Sequence, residues 1–341
     1  MIGRMPVTFE SIPASHWNKF ARMPMQRHCW ARACLETLNA DDVERLIASG
    51  DALAPFVAKR SEPHRLRFIG DRIFEPYDVL TDENSVEGLA SAIADTGLAI
   101  DLKRLPSDAV IVRALKAAYR GRGFVVIEHL QNGCPYIDLD DTWSEPERHF
   151  NASWRSTFRR MRRRAENAGE VRFDITSPPR SEVHALIEEA FTVEAAGWKG
   201  SRGSAIAVSR WRSSFYRRFA ELAADEGILR LCFLRIDGQP VAMEYAVVCN
   251  ERFFVLKIGY DEAFDSFSPG NLLRLETVRY AAQQGLHSYE FLGTDAPWTY
   301  FWTRKIRPMV SLKGYPITTR GMFFFAADKL WLRPVRKRKR S

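Results

Sequence analysis

The sequence predicts an α/β fold in two similar halves, each a mixed, mostly antiparallel sheet flanked by helices. Three observations carry this expectation. Residues 229–292 read as three antiparallel strands in a meander, then a loop, a helix and a strand of parallel type. The unit "helix, Gly-Leu, strand" occurs at Thr96-Gly97-Leu98 and again at Gln284-Gly285-Leu286, which suggests a repeated plan. The chain has 341 residues, more than one ordinary domain of roughly 100–200 residues. With 46% apolar and 27% charged side chains, it has the composition of packed cores and not of a disordered or low-complexity chain.

The elements follow in order. Ser85–Thr96 is an amphipathic helix with Val86, Leu89, Ala90 and Ile93 on one face, and Gly97 is placed to end it. Ile100–Leu105 reads as a strand, Asp108–Tyr119 as a helix, and Phe124–Glu128 and Tyr136–Leu139 as two strands. Asp141-Thr142-Trp143-Ser144-Glu145-Pro146 breaks the periodicity. A boundary near residues 141–153 therefore divides an N-terminal domain (1–145), expected to be non-catalytic, from a second domain (153–320) and a tail (321–341).

Trp154–Ala168 is a helix with Phe158, Met161 and Ala165 as its apolar line, stopped by Gly169. A second helix, starting after Ser181, carries the stripe Val183, Leu186, Ile187, Ala190 and Phe191 at helical spacing. Leu229–Ile236 runs into Asp237-Gly238, a favoured hairpin turn. Val241–Val248 returns, Asn250-Glu251 turns again, and Phe253–Tyr260 is the third strand. Asp261–Gly270 is a loop, Asn271–Gln284 a helix ended by Gly285, and Ser288–Leu292 a strand.

The formal net charge is +8, but it is concentrated. Arg155, Arg159, Arg160, Arg162, Arg163 and Arg164 fall within ten residues, and Arg333, Arg336, Lys337, Arg338, Lys339 and Arg340 within the last nine. The rest of the chain is mildly acidic. Met322-Phe323-Phe324-Phe325 and Leu330-Trp331-Leu332 precede the basic end. An aromatic segment followed by cations suits an anionic membrane surface, while no nucleic-acid reader motif accompanies either cluster. Five cysteines without a C-x-x-C pair, no H-E-x-x-H and no apolar run of about 20 residues argue against a disulfide framework, a metal site and a membrane span. The expectation is a cytoplasmic protein, with peripheral contact at the inner face of the membrane as an option.

Four local motifs carry a family resemblance. Val193-Glu194-Ala195-Ala196-Gly197-Trp198-Lys199-Gly200, Gly203-Ser204-Ala205-Ile206, Leu256-Lys257-Ile258-Gly259-Tyr260-Asp261-Glu262 and Ser268-Pro269-Gly270-Asn271-Leu272-Leu273 resemble the CelD/BcsL-type (BioF-like) acetyltransferases of the GNAT family. These are linked to cellulose and other exopolysaccharide biosynthesis. The likeness is strongest from about Ser153 to Tyr315. It implies tandem GNAT-like (acyl-CoA N-acyltransferase) domains, as in FemABX-type transferases, with acetyl-CoA or another acyl-CoA as co-substrate and no metal.

The residues support a site of that kind. A helix N-terminus presents unpaired backbone N–H groups and partial positive charge, and Ser268, Pro269, Gly270 and Asn271 open one. The resemblance implies that acyl-CoA phosphates lie there. Only one glycine is present where the usual GNAT loop, R/Q-x-x-G-x-G/A, has two, and an ordinary Pro-Gly helix entry is the competing reading. Glu194 falls in the middle of an apolar stripe, where desolvation raises a carboxyl group towards the range useful for proton transfer. An exposed helix end, or pairing with Lys199 or an Arg, is its alternative.

If Asn250-Glu251 is a two-residue turn, Glu244 faces Lys257 across the ladder on a floor of Ala242, Ala246, Val255 and Gly259. That makes Glu244 a second candidate base and Lys257 a substrate contact. A plain cross-strand ion pair is the alternative. Trp198, Lys199, Tyr260, Asp295 and Trp298 complete the candidate substrate contacts. Trp298 belongs to an aromatic cluster with Tyr300, Phe301 and Trp302 that fits either a sugar-stacking surface or core packing.

The expected activity is direct acyl transfer, with acetyl the favoured group, from acyl-CoA to an amine or hydroxyl of a small-molecule or glycan-related acceptor. It would serve cellulose, exopolysaccharide or cell-envelope synthesis. Two alternatives stay open: an aminoacyl-tRNA-dependent FemABX-like transferase, and a non-catalytic partner of a polysaccharide synthase.

Overall fold

The computed structural model describes residues 7–197 and 209–332. One sheet of eleven strands runs through the molecule in the order β1-β2-β3-β4-β11-β5-β10-β9-β8-β7-β6. The first half supplies helices α1 (Ala14–Asn18) and α2 (His28–Thr37) and the meander β1 (Val43–Ser49), β2 (Ala52–Ala58) and β3 (Arg65–Phe68). Helix α3 (Val86–Asp95), β4 (Ala99–Pro106), α4 (Val110–Tyr119) and β5 (Phe124–Asp138) follow. The second half supplies α5 (Ala152–Ala168), β6 (Val171–Thr176), α6 (Arg180–Ala195) and α7 (Arg210–Asp225). Its own meander is β7 (Leu229–Ile236), β8 (Gln239–Cys249) and β9 (Arg252–Tyr260), followed by α8 (Pro269–Gln283) and β10 (Ser288–Glu290). The long strand β11 (Ile306–Pro316) and helix α9 (Thr319–Leu332) close the chain.

The repeat expected from two short sequence units is real in three dimensions. Gly97 and Gly285 adopt φ of +64° and +67°, a left-handed conformation open to glycine at little cost, and each ends a helix. The strand that follows then lies parallel to the third strand of its own meander. β3 pairs with β4 and β9 with β10, both parallel. The meander turns also form as read: Asp237, Gly238, Asn250 and Glu251 all have positive φ, the signature of tight hairpin turns. The α/β class, with a mixed sheet flanked by helices, is the one the sequence predicted.

The two strands expected at 124–128 and 136–139 are a single strand, β5, of 15 residues. It joins the halves, pairing along most of its length with β11 and, at Tyr136–Asp138, with β10. β11 crosses back to lie between β4 and β5. The periodicity break after residue 140 forms two short 3-10 turns, Asp141–Ser144 and Pro146–His149.

Two cores flank the sheet. The larger joins α2, α3, α4, α6 and α7 to strands of both halves, and the smaller packs α5 and α8 against β7–β10. Residues of one strand alternate between them: Met243, Tyr245 and Val247 face the larger core, Ala242 and Ala246 the smaller, as a period of two requires. The first part of the expected tail belongs to α9; Arg333–Ser341 lie outside the described residues.

Candidate active site

The sheet opens where the second half repeats its plan. β9 and β10 pair only from Arg252–Phe254 to Ser288–Glu290. Beyond that β9 continues to Tyr260, while the chain after β10 turns away through Leu292 and Gly293, both at φ +54°. A wedge-shaped cleft of about 560 Å³ results. Ile258, Gly259 and Tyr260 form one wall, Phe291, Leu292, Gly293 and Thr294 the other, and Ser268, Gly270, Asn271 and Arg274 bring the start of α8 to it. The first half holds the second wall in place. Arg104 donates to the Gly293 carbonyl, and the Gly293 N–H points at Glu75 Oε2 at 3.5 Å.

Ser268 takes φ +50° immediately before α8, and its carbonyl accepts from the N–H groups of Asn271 (3.0 Å) and Leu272 (3.3 Å). Pro269 has no N–H to leave unsatisfied at the first helical position. A Cβ at Gly270 would meet only Tyr260 Cδ1, at 3.6 Å, so the backbone there is open to the cleft.

Glu194 sits on the same cleft, 2% exposed. It arrives there because α6 closes tightly onto β9. A Cβ at Gly259 would lie 2.7 Å from Glu194 Cα, and one at Gly197 would lie 2.7 Å from the Tyr260 carbonyl oxygen. Both distances are shorter than side chains tolerate, so these two glycines admit the carboxylate to the wall.

Glu244 does not face Lys257. The Asn250-Glu251 turn sets the expected register from Cys249↔Arg252 to Ala246↔Val255, and then a bulge at Leu256 shifts it, giving Tyr245↔Lys257 and Glu244↔Ile258. A bulge puts two consecutive side chains on one face, here Leu256 and Lys257. Lys257 accordingly lies on the side of the larger core, its Nζ 5.1 Å from the centroid of the Tyr216 ring. Burial lowers its pKa, but the neighbouring Tyr216, Glu75 and Glu194 outweigh that and raise it. Burial also raises the Glu75 carboxyl, against the pull of Lys257 and Arg104.

Glu244 turns to the opposite face, 1% exposed. Its Oε1 accepts from Arg274 Nε (2.5 Å) and its Oε2 from Thr277 Oγ1 (2.9 Å) and Tyr289 OH (2.8 Å). Every oxygen of this carboxylate is engaged by the protein.

Tyr260 and Trp298 line the cleft. Burial and the nearby Asp265 raise the Tyr260 pKa. Asp295 accepts from Tyr300 OH at 3.1 Å, and this hydrogen bond raises the tyrosine pKa. The aromatic cluster divides: Trp298 stays at the cleft, while Trp302 is buried in the smaller core with Phe301 packed against it. Trp198 and Lys199 lie outside the described residues.

Arg274 is the cleft residue that sequence reasoning missed. An arginine set in the run Leu272-Leu273-Arg274-Leu275 is the signal that could have revealed it, since a buried cation needs a partner. Among the described residues no group of His, Cys, Asp and Glu is arranged to hold a metal ion, and no helix is long and apolar enough to cross a membrane.

Comparison with known proteins agrees with this geometry. Residues 152–300 match the family model described as an acetyltransferase (GNAT) domain. The whole chain resembles the crystal structure of FemX, with a TM-score of 0.60 at 13% identity over 92% of this chain and 97% of that one. It also resembles the C-terminal domain of a putative lysylphosphatidylglycerol synthetase from Agrobacterium fabrum, with a TM-score of 0.53 at 12% identity over 88% and 91% of the two chains. L-PGS from Bacillus licheniformis gives 0.52 at 14% identity over 89% and 96%. At these identities the likeness is one of fold. No curated protein matches the sequence. The wedge and the helix entry both lie within the segment that is similar to an acetyltransferase (GNAT) domain, and the protein is an acyltransferase.

Proposed function

We propose that the protein transfers an acyl group, acetyl in the simplest case, from acyl-CoA to an amine or hydroxyl bound in the cleft between β9 and β10. The observation that carries this reading is the placement of a buried carboxylate, Glu194, on the wall of a wedge that begins at a helix N-terminus. The open backbone at Gly270 suits a phosphate group, and Ser268 adds a hydroxyl. Pantetheine would follow β9 into the wedge. There the acceptor nitrogen or oxygen bonds to the thioester carbonyl carbon, its proton passes to Glu194, and the C–S bond breaks to release the thiolate. Holding both reactants in one cleft supplies the proximity term, and the carboxylate supplies general-base catalysis.

Glu244 has a different part in this reading: with Thr277 and Tyr289 it holds Arg274. Tyr260 and Trp298 contact the substrates. The acceptor we favour is a small-molecule or polysaccharide-related amine or hydroxyl of cellulose, exopolysaccharide or cell-envelope synthesis, as the CelD/BcsL-like motifs imply. Peripheral membrane contact through α9 and the basic residues after it fits such a role.

A specific observation favours a second donor, an aminoacyl-tRNA. Arg159, Arg160 and Arg163 are exposed on α5, and Arg164 of the same helix donates to the Ser266 carbonyl (3.0 Å) just before the cleft helix. One of the similar folds is, by name, the C-terminal domain of a putative lysylphosphatidylglycerol synthetase. Calorimetry with acetyl-CoA and with charged tRNA distinguishes the donors. The base is tested by Glu194→Gln, expected to lower turnover by about 10²-fold or more while donor binding persists. Full turnover by this variant sinks the assignment.

A further inference from the structure

We propose that Arg274 anchors a carboxylate of the substrate in the cleft, so that one of the two reactants carries an acid group. This rests on the reading of the cleft as the substrate site. Arg274 stands on α8 one turn beyond Gly270, lines the cleft, and is only 3% exposed. Its Nε is committed to Glu244. Its Nη1 is buried and has no hydrogen-bond partner among the described residues. Buried donors are nearly always satisfied, and Glu244 meets this guanidinium through Nε alone, its other oxygen being taken by Thr277 and Tyr289.

The rings of Phe291, Trp298 and Tyr289 stand 5.3, 5.4 and 5.9 Å from the guanidinium carbon. Packing of this kind holds a guanidinium in one plane and directs recognition to its edge, where a carboxylate binds. A dianionic phosphate is the poorer occupant, since Glu244 lies against the same guanidinium and would repel a second full charge. Trp298 is 47% exposed, so the wall over Arg274 borders solvent and a ligand has a way in.

The acid can belong to the acyl group or to the acceptor, and two measurements on the full chain separate the sources. In the first, calorimetry compares succinyl-CoA with butyryl-CoA. In the second, turnover with acetyl-CoA compares alanine with alaninamide as acceptor. One arm is expected to favour the acid by about 10-fold or more, the strength of a charge-assisted hydrogen bond.

Arg274→Lys keeps a cation beside Glu244 but loses the planar fork, and that preference should fall to near unity. The double variant Arg274→Met with Glu244→Met removes the buried pair together and guards against misfolding from an unpaired carboxylate. It should show the same loss. The ratio within each variant is the readout, not the absolute affinity. A wild-type ratio near one in both arms, or a preference that survives both variants, overturns the proposal while leaving the donor site intact. Failure of the wild-type protein to bind coenzyme A at all overturns the donor-site reading and this proposal with it.

Discussion

Asp78 shows how the joint between the halves sets the properties of a single residue. It lies on a second cavity, of about 390 Å³, whose lining also includes Arg22, Asp108, Tyr136, Arg252 and Glu290. Burial pushes its carboxyl up from 3.8 to about 7, with Asp108 adding to the rise, while the Val79 N–H and Arg22 pull it back. A carboxyl raised in the folded state stabilises the fold when protonated, and that contribution is lost as pH climbs through the folded value. The melting temperature of the wild-type protein should therefore fall between about pH 4 and pH 8 relative to that of Asp78→Asn, which has no proton to lose there. Parallel melting curves for the two proteins across that range would show that Asp78 ionises without cost. Glu244 makes the complementary point: three protein donors meet its two oxygens, so a carboxylate only 1% exposed can still be well served.

Elements with local punctuation were readable in the sequence, and elements fixed by distant partners were not. Gly97, Gly285 and the pairs Asp237-Gly238 and Asn250-Glu251 mark backbone that must turn left-handed, and all four sites do so. The bulge at Leu256 carries no such mark. Phe253-Phe254-Val255-Leu256 is apolar throughout, so nothing in it records which face each side chain takes. The shift of register, and with it the exchange of Lys257 for Ile258 opposite Glu244, follows only from packing on both faces. β2 is buried along its whole length and shows no alternation to read. β11 depends on neighbours far away in the chain.

The cleft was half legible for the same reason. Helix-entry residues and Glu194 sit on periodic elements, whereas Arg274 acquires its role from β8, β10 and the Trp298 loop. The sequence marks Met322–Phe325 and Leu330–Leu332 only as an aromatic stretch of the tail, and the structure makes a helix, α9, of Thr319–Leu332. Asp328 fastens it through Lys313 and Tyr315, and Phe324 lies 4.4 Å from the Arg65 guanidinium. Phe323 and Leu330, seven residues apart and hence on one face, are 70% and 64% exposed. If that face meets an anionic bilayer, full-length protein should float with phosphatidylglycerol vesicles, and Phe323→Ser with Leu330→Ser should reduce the bound fraction several-fold. Equal flotation of the two proteins would remove α9 from the contact.

At the scale of the molecule, the segment that matches the transferase domain does not end at its own edges. Strand β10 of that segment pairs with β5 from the first half, and β11, which follows the segment, is laced between β4 and β5. The larger core is shared as well: Trp30 on α2 packs its ring 4.9 Å from both Phe215 and Phe219 on α7. Arg27 meets Glu226 at 2.6 Å and Arg218 meets Glu36 at 2.5 Å across the same joint, while Arg104 and Glu75 hold the Gly293 turn of the cleft. Residues 152–300 expressed alone would therefore expose the β10 edge, a site for wrong pairing, and one side of a large apolar core. They would also leave the second cleft wall unsupported. The full chain should melt in one cooperative transition, whereas the isolated segment should aggregate or show no cooperative melt by circular dichroism. Adding a separately expressed first half lacking β11 should not restore it, because the strand between β4 and β5 is still missing. A segment that melts cooperatively near the temperature of the full chain would show that the halves fold independently, and that the continuous sheet is an attachment rather than a condition for the cleft.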